Sequence, residues 1–131
     1  MSMKSLEDLE KAFDRGLSQW EGRIALEHAE KIGKKCVREI TRKTPWKTGN
    51  LRRRWDSHAE KGSNDVEIHL TNDADYAAHV NDGHRKVRGG KTAGYVEGHH
   101  MLEKGVASYK DHYLEDDLQG MVDALGKAMK G

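Results

Sequence analysis

The chain has 131 residues, of which 34% are charged and 35% hydrophobic, with one Phe, one Pro and a net charge of +1. That length suits one domain over 1–131 with a modest core, and the single Cys36 excludes an internal disulfide or a paired-cysteine zinc site. No apolar run approaches the ~20 residues that span a bilayer, and Met1 to Lys11 is too acidic and polar for a secretory signal, so a soluble chain with no membrane partner is expected.

Apolar residues recur three or four apart at Leu6, Leu9, Phe13, Leu17, Trp20 and Ile24, then through Ala25, Ala29, Ile32, Cys36 and Ile40. This spacing predicts one long amphipathic helix over about Ser5 to Arg42, interrupted near Gly16 to Gly22. The helix should stop before Thr44, because Pro45 disfavours helical geometry in the residue ahead of it. Thr48, Gly49 and Asn50 read as a turn, with Gly49 at positive φ. Leu51 to Glu60 and Val66 to Leu70 then read as strands of a hairpin whose loop is Lys61 to Asp65. Alternation is clear in the second strand and poor through Arg52, Arg53 and Arg54. A short helical segment is predicted within Asn72 to Asp82, closed by Gly83. His84 to Gly94, rich in Gly and bases, reads as an exposed loop, and Ala93 to Glu97 as a third strand. From Met101 to Met129 apolar residues return at helical spacing, in one or two pieces. The fold class predicted is α+β, a long N-terminal helix and a C-terminal helix packed on a small antiparallel sheet.

Thr44, Pro45, Trp46, Lys47, Thr48, Gly49, Asn50, Leu51, Arg52 and Trp55 form a first block of recognisable order. Asn72, Tyr76, Ala77, Val80, Gly83 and His84 form a second, and Gly98, His99, His100, Met101 and Leu102 a third. Together they resemble the gene-product-ten-like family of tailed-phage proteins, described as tail-completion, head-tail joining or minor tail components. Lys47, Arg54, Asn81 and His99 depart from the family pattern. The resemblance implies helices against an antiparallel sheet, assembly into a ring at the head-tail interface of the virion, other neck or tail proteins as partners, and no enzymatic activity or cofactor.

Read as chemistry, Pro45 to Leu51 is turn-forming and lacks convergent acids or nucleophiles. Trp55 reads as a core anchor, with an interface aromatic as the alternative. The eight histidines raise the alternative of a His-dependent metal nuclease, but no paired spacing assembles the three or so ligands that such a site needs. His84 and His100 read better as loop residues bonding backbone.

Charge is unevenly spread: from Glu30 to Arg54 ten Lys or Arg face two acids, and from Asp111 to Asp123 five acids stand with no base. Lys31, Lys35, Arg38 and Arg42 share one helical face, followed by Arg52, Arg53 and Arg54. The stripe would meet either the acidic segment of a neighbouring copy or phage DNA. Function is therefore expected to be structural: a homo-oligomeric ring contacting through the long helix, the sheet edge and the loop Arg85 to Gly94. The chain would be soluble in the host cytoplasm before assembly. A DNA-binding module is the main alternative.

Overall fold

The computed structural model describes residues 3, 5–45, 49–63, 65–74, 76–88 and 91–130, with side chains at all of these except 79, 84–88, 91–97 and 130. The expected long helix is two helices. α1 (Leu6–Asp14) is capped by the Ser5 hydroxyl, which accepts from the Asp8 amide, and α2 runs from Gln19 to Lys43. The break falls where the glycines place it: Gly16 has φ 82, a left-handed conformation open to glycine and strained for other residues. The restart is set by a capping box. The Ser18 hydroxyl accepts from the Glu21 amide (3.2 Å), and the Glu21 carboxylate accepts from the Ser18 amide (2.9 Å). These hydrogen bonds hold the Glu21 carboxyl below its ordinary range. α2 ends at Lys43, with Thr44 extended ahead of Pro45, as proline geometry requires.

Trp46, Lys47 and Thr48 lie outside the described residues. Beyond them two expectations are corrected. Gly49 opens a short helix, α3 (Gly49–Arg53), and is not among the positive-φ residues. Leu51 to Arg53 are helical, so the strand expected from Leu51 starts only at Trp55. Three consecutive arginines offer no alternating apolar face to a sheet, whereas bases in the last turn of a helix suit its dipole. Since a Cβ at Gly49 would meet nothing nearer than the mobile end of Arg53 at 3.4 Å, Gly49→Ala should change stability by less than about 0.5 kcal/mol. A urea titration showing a loss several times larger would restore the turn.

β1 (Trp55–Lys61) and β2 (Val66–Asn72) pair antiparallel in register from Trp55 opposite Asn72 to Lys61 opposite Val66. Alternation sorts them: Trp55, Ser57, Ala59, Ile68 and Leu70 face inward, while His58, Glu60, Glu67 and His69 form an exposed polar face. α4 (Ala77–Asp82) follows and ends at Gly83, whose φ of 87 closes it as expected.

The stretch expected as a loop is instead a second hairpin, β3 (Gly83–Arg88) with β4 (Lys91–Glu97), carrying a register shift at Lys86/Val87. It forms its own two-stranded sheet and does not extend the first. Backbone pairing needs no apolar alternation, so a pattern search passes over it. The signal present was Gly89-Gly90 between Arg88 and Lys91, a dipeptide suited to a two-residue hairpin connection.

The C-terminal third is α5 (Met101–Tyr109), a π-helical turn (Lys110–Leu114) and α6 (Glu115–Lys130) in one continuous run. α2 is the spine: β1, β2, α5 and α6 all pack along it. Ile32, Cys36 and Ile40 of α2 meet Tyr109, Met121, Val122 and Leu125, with Leu9 and Ala12 of α1 closing one end. Each Leu, Ile, Val or Met among these contributes roughly 1.5 to 3 kcal/mol when fully buried.

Candidate assembly surface

The residues of the three sequence blocks are mainly joints of the scaffold. At the first joint the Trp55 indole Nε1 donates to Thr44 Oγ1 (2.9 Å), whose hydroxyl donates to the Ile40 carbonyl (2.8 Å). Trp55 is thus half-buried, packed on the core by its ring and tied to the end of α2 by its polar edge. Leu51 is fully buried, and its carbonyl accepts from Asn72 Nδ2 (2.8 Å), which binds α3 to the end of β2. Arg52 Nε donates to the Thr41 carbonyl (3.3 Å). Pro45 is half-buried beside this joint, and Thr48 lies outside the described residues.

The second and third blocks meet through Asn81, which sequence reading had noted only as a departure from the family pattern. Its Oδ1 accepts from the Leu102 amide (2.9 Å), and its Nδ2 donates to Glu103 Oε1 (3.1 Å) and Asp82 Oδ1 (2.9 Å). The amides of His99 and His100 donate to the carbonyls of Val80 and Asn81. Asn81 therefore caps α5 from another helix, a role that no local motif announces. His100, at φ 49, is exposed at the start of α5 and supplies no side-chain cap. Met101 beside it is fully buried, Gly98, Ala77 and Val80 are half-buried, and of the His84 side chain nothing is described. Tyr76 is 39% exposed, its hydroxyl taking a long 3.4 Å hydrogen bond from Asn50.

The basic stripe is largely engaged within the chain. Lys35 Nζ lies 2.7 Å from Asp117 Oδ1, so part of the acidic segment expected to meet a neighbour's stripe meets its own. The Tyr109 hydroxyl donates to Asp117 Oδ2 at 2.7 Å. Arg42 Nη1 lies 3.1 Å from Oε2 of the buried Glu39, with Arg38 Nε at 4.0 Å; Glu39 Oε1 accepts from Ser108 Oγ. Arg38 and Lys35 also lie over the Tyr113 ring, at 5.7 and 5.8 Å. Arg54 pairs with Asp73 (3.0 Å), while Lys31 and Arg53 are exposed.

This network sets the titration of its members. Burial alone would raise the Asp117 carboxyl, but hydrogen bonds from Lys35 and Tyr109 outweigh it and hold the group below the ordinary carboxylate range. Burial, reinforced by Asp117, raises the Tyr109 phenol, and the same two causes push the buried Cys36 thiol up to about 11. A depressed Asp stabilises the fold above its unfolded pKa of about 3.9 and loses that contribution as pH falls through the folded value. Asp117→Asn should therefore cost about 1 to 2 kcal/mol at pH 7, with a smaller gap to wild type at about pH 3, below the unfolded pKa. Equal gaps at both pH values in urea titrations would show that no depressed carboxylate is involved.

Two of the open grooves among the described residues are partly apolar. One, of about 590 Å³, is floored by Leu9, Phe13, Ile32, Ile68, Leu118 and Met121, with Glu10, Asp14 and Asp65 among its lining residues. The other, of about 680 Å³, is lined by Trp20, Arg23, Leu26 and Lys61, and Trp20 is 59% exposed. Among the described residues no group of three or more His, Cys, Asp or Glu is disposed to hold a metal ion. No helix among them is long and apolar enough to cross a membrane.

A family model for the bacteriophage HK97-gp10 tail component matches residues 5–83, more than half of the chain. The chain belongs to the HK97-gp10 family of phage tail components. The match spans α1, α2, the first block and all of the second except His84, so the HK97-gp10 signature covers the α2–α3–β1–β2 joint. The Gly98 to Leu102 block lies beyond the matched residues. No curated protein and no solved structure matches the chain.

Proposed function

We propose that this HK97-gp10 family member is a structural tail-completion or head-tail joining protein that works by assembling, as a ring, with copies of itself and with neighbouring neck or tail proteins. It carries out no catalysis, and its place is the virion after a soluble phase in the host cytoplasm. The observation that carries this reading is the apolar groove between α1, α2, β2 and α6, lying open in a chain of so thin a core. Apolar surface of this kind supplies affinity when a partner covers it, while the charges around it orient the contact. The motif residues hold the joints that give these surfaces their shape.

Sedimentation velocity across protein and salt concentration, alone and with the head or tail protein encoded next to it, tests the reading. A defined oligomer or a stoichiometric complex is expected, and Leu118→Arg, which places a charge in the groove, should abolish it without unfolding the chain. A chain that stays monomeric under every one of these conditions sinks the proposal.

A further inference from the structure

The β3–β4 ribbon, whose Arg85 to Gly94 stretch was expected to be a contact between copies, is strongly basic. Between His84 and Val96 the sequence holds Arg85, Lys86, Arg88 and Lys91 and no acid. In the described backbone the two strands pair with each other and otherwise pack appreciably only on α4. A two-stranded hairpin with so little support is marginally stable by itself, so a partner surface would stabilise it. Its register sorts the residues. Arg85 stands opposite Tyr95, Lys86 opposite Gly94 and Arg88 opposite Lys91; the shift leaves its extra residue, Ala93, on β4, so β3 alternates without interruption and positions 86, 88 and 91 share one face while 85 and 95 share the other.

We propose that the face of Lys86, Arg88 and Lys91 is a contact for double-stranded DNA, made to the phosphate backbone without sequence preference. Two features favour DNA over an acidic protein. A two-stranded ribbon fits the major groove, about 12 Å wide, and three bases on one face, with no acid at the positions paired on it, suit a continuous polyanion. The acidic segment of α6, the obvious protein alternative, already gives Asp117 to Lys35 within the chain. The stripe on α2 is the weaker candidate for the same role, since Lys35, Arg38 and Arg42 have carboxylate partners. The inference rests on the tail-component reading only for the source of the DNA, the genome passing the assembled protein.

The test is fluorescence anisotropy of the full-length protein on a 30-base-pair duplex, about 30 chosen for room to hold several contacts, in two unrelated sequences and across a salt series. The ribbon variant joins Arg85→Gln, Lys86→Gln, Arg88→Gln and Lys91→Gln. A control of equal charge change joins Lys31→Gln, Lys34→Gln, Lys43→Gln and Arg53→Gln, all at exposed positions of α2 and α3. Equal binding to both sequences is expected. The ribbon variant should bind at least about tenfold more weakly, with the salt slope reduced by about 3, against less than about 1 for the control. Three results overturn the proposal: no binding by the wild type at low salt, equal losses in the two variants, or a ribbon variant that keeps DNA binding and loses self-association. The last would assign the ribbon to a second copy. Sedimentation of the same samples separates the two readings, because assembly without DNA binding removes this inference alone, and DNA binding by a permanent monomer removes the ring alone.

Discussion

Replacing Gly105 by alanine is expected to destabilise the protein by about 2 kcal/mol, although alanine is the better helix former. Intrinsic propensity alone favours the change by about 1 kcal/mol. Against it, a Cβ at Gly105 would stand 2.4 Å from the Ile40 Cα, 2.6 Å from the Ile40 nitrogen and 2.5 Å from its Cγ1. Two of these are backbone atoms of a helix, which cannot rotate aside as a side-chain tip can. α2 and α5 would have to separate along their whole contact, where Ile40, Met101 and Tyr109 are buried. Overpacking of this kind costs about 1 to 3 kcal/mol and occasionally more, so we expect the steric effect to win. Chemical denaturation decides by sign. A stabilised Gly105→Ala would mean that the helices stand further apart than described here.

The second large effect is expected at Lys35. Lys35→Glu sets a carboxylate beside Asp117, whose side chain is only 19% exposed and which also accepts from Tyr109. Breaking a fully buried pair costs about 3 to 5 kcal/mol. Because 37% of the Lys35 side chain is exposed, water screens part of the interaction, and a loss of about 2 kcal/mol is expected. The loss should appear in dilute protein and be independent of concentration, since the pair lies within one chain. Combining Lys35→Glu with Asp117→Lys should recover part of it under the same dilute conditions. Melting that responds to the single reversal only at concentrations where the protein associates would return the pair to an interface between copies.

Much of the helical framework was legible in the sequence. The three-and-four spacing located α2 and the C-terminal helices, the glycines located the break between α1 and α2, and Pro45 located the end of α2. These signals are local: a period of 3.6, a left-handed backbone and a missing amide act within a few residues of where they are written. Val66, Ile68 and Leu70 announced β2 for the same reason. The capping box at Ser18 and Glu21 and the Gly89-Gly90 dipeptide were equally local and were readable, though the apolar pattern drew attention elsewhere.

What only the tertiary structure decided is who meets whom. Leu51 is helical and buried, and its carbonyl accepts from Asn72, 21 residues on. Asn81 caps a helix that begins 20 residues later, and Lys35 finds Asp117 across 82 residues of chain. Charge blocks in a sequence show that opposite signs will attract, yet the energy of a pair depends on distance and burial, which neither block contains. The sequence by itself therefore determined the long helices, strand β2 and the family resemblance. Packing around α2 determined that part of the basic stripe is spent inside the chain, because folding brings one Asp to 2.7 Å from one Lys before any neighbour arrives.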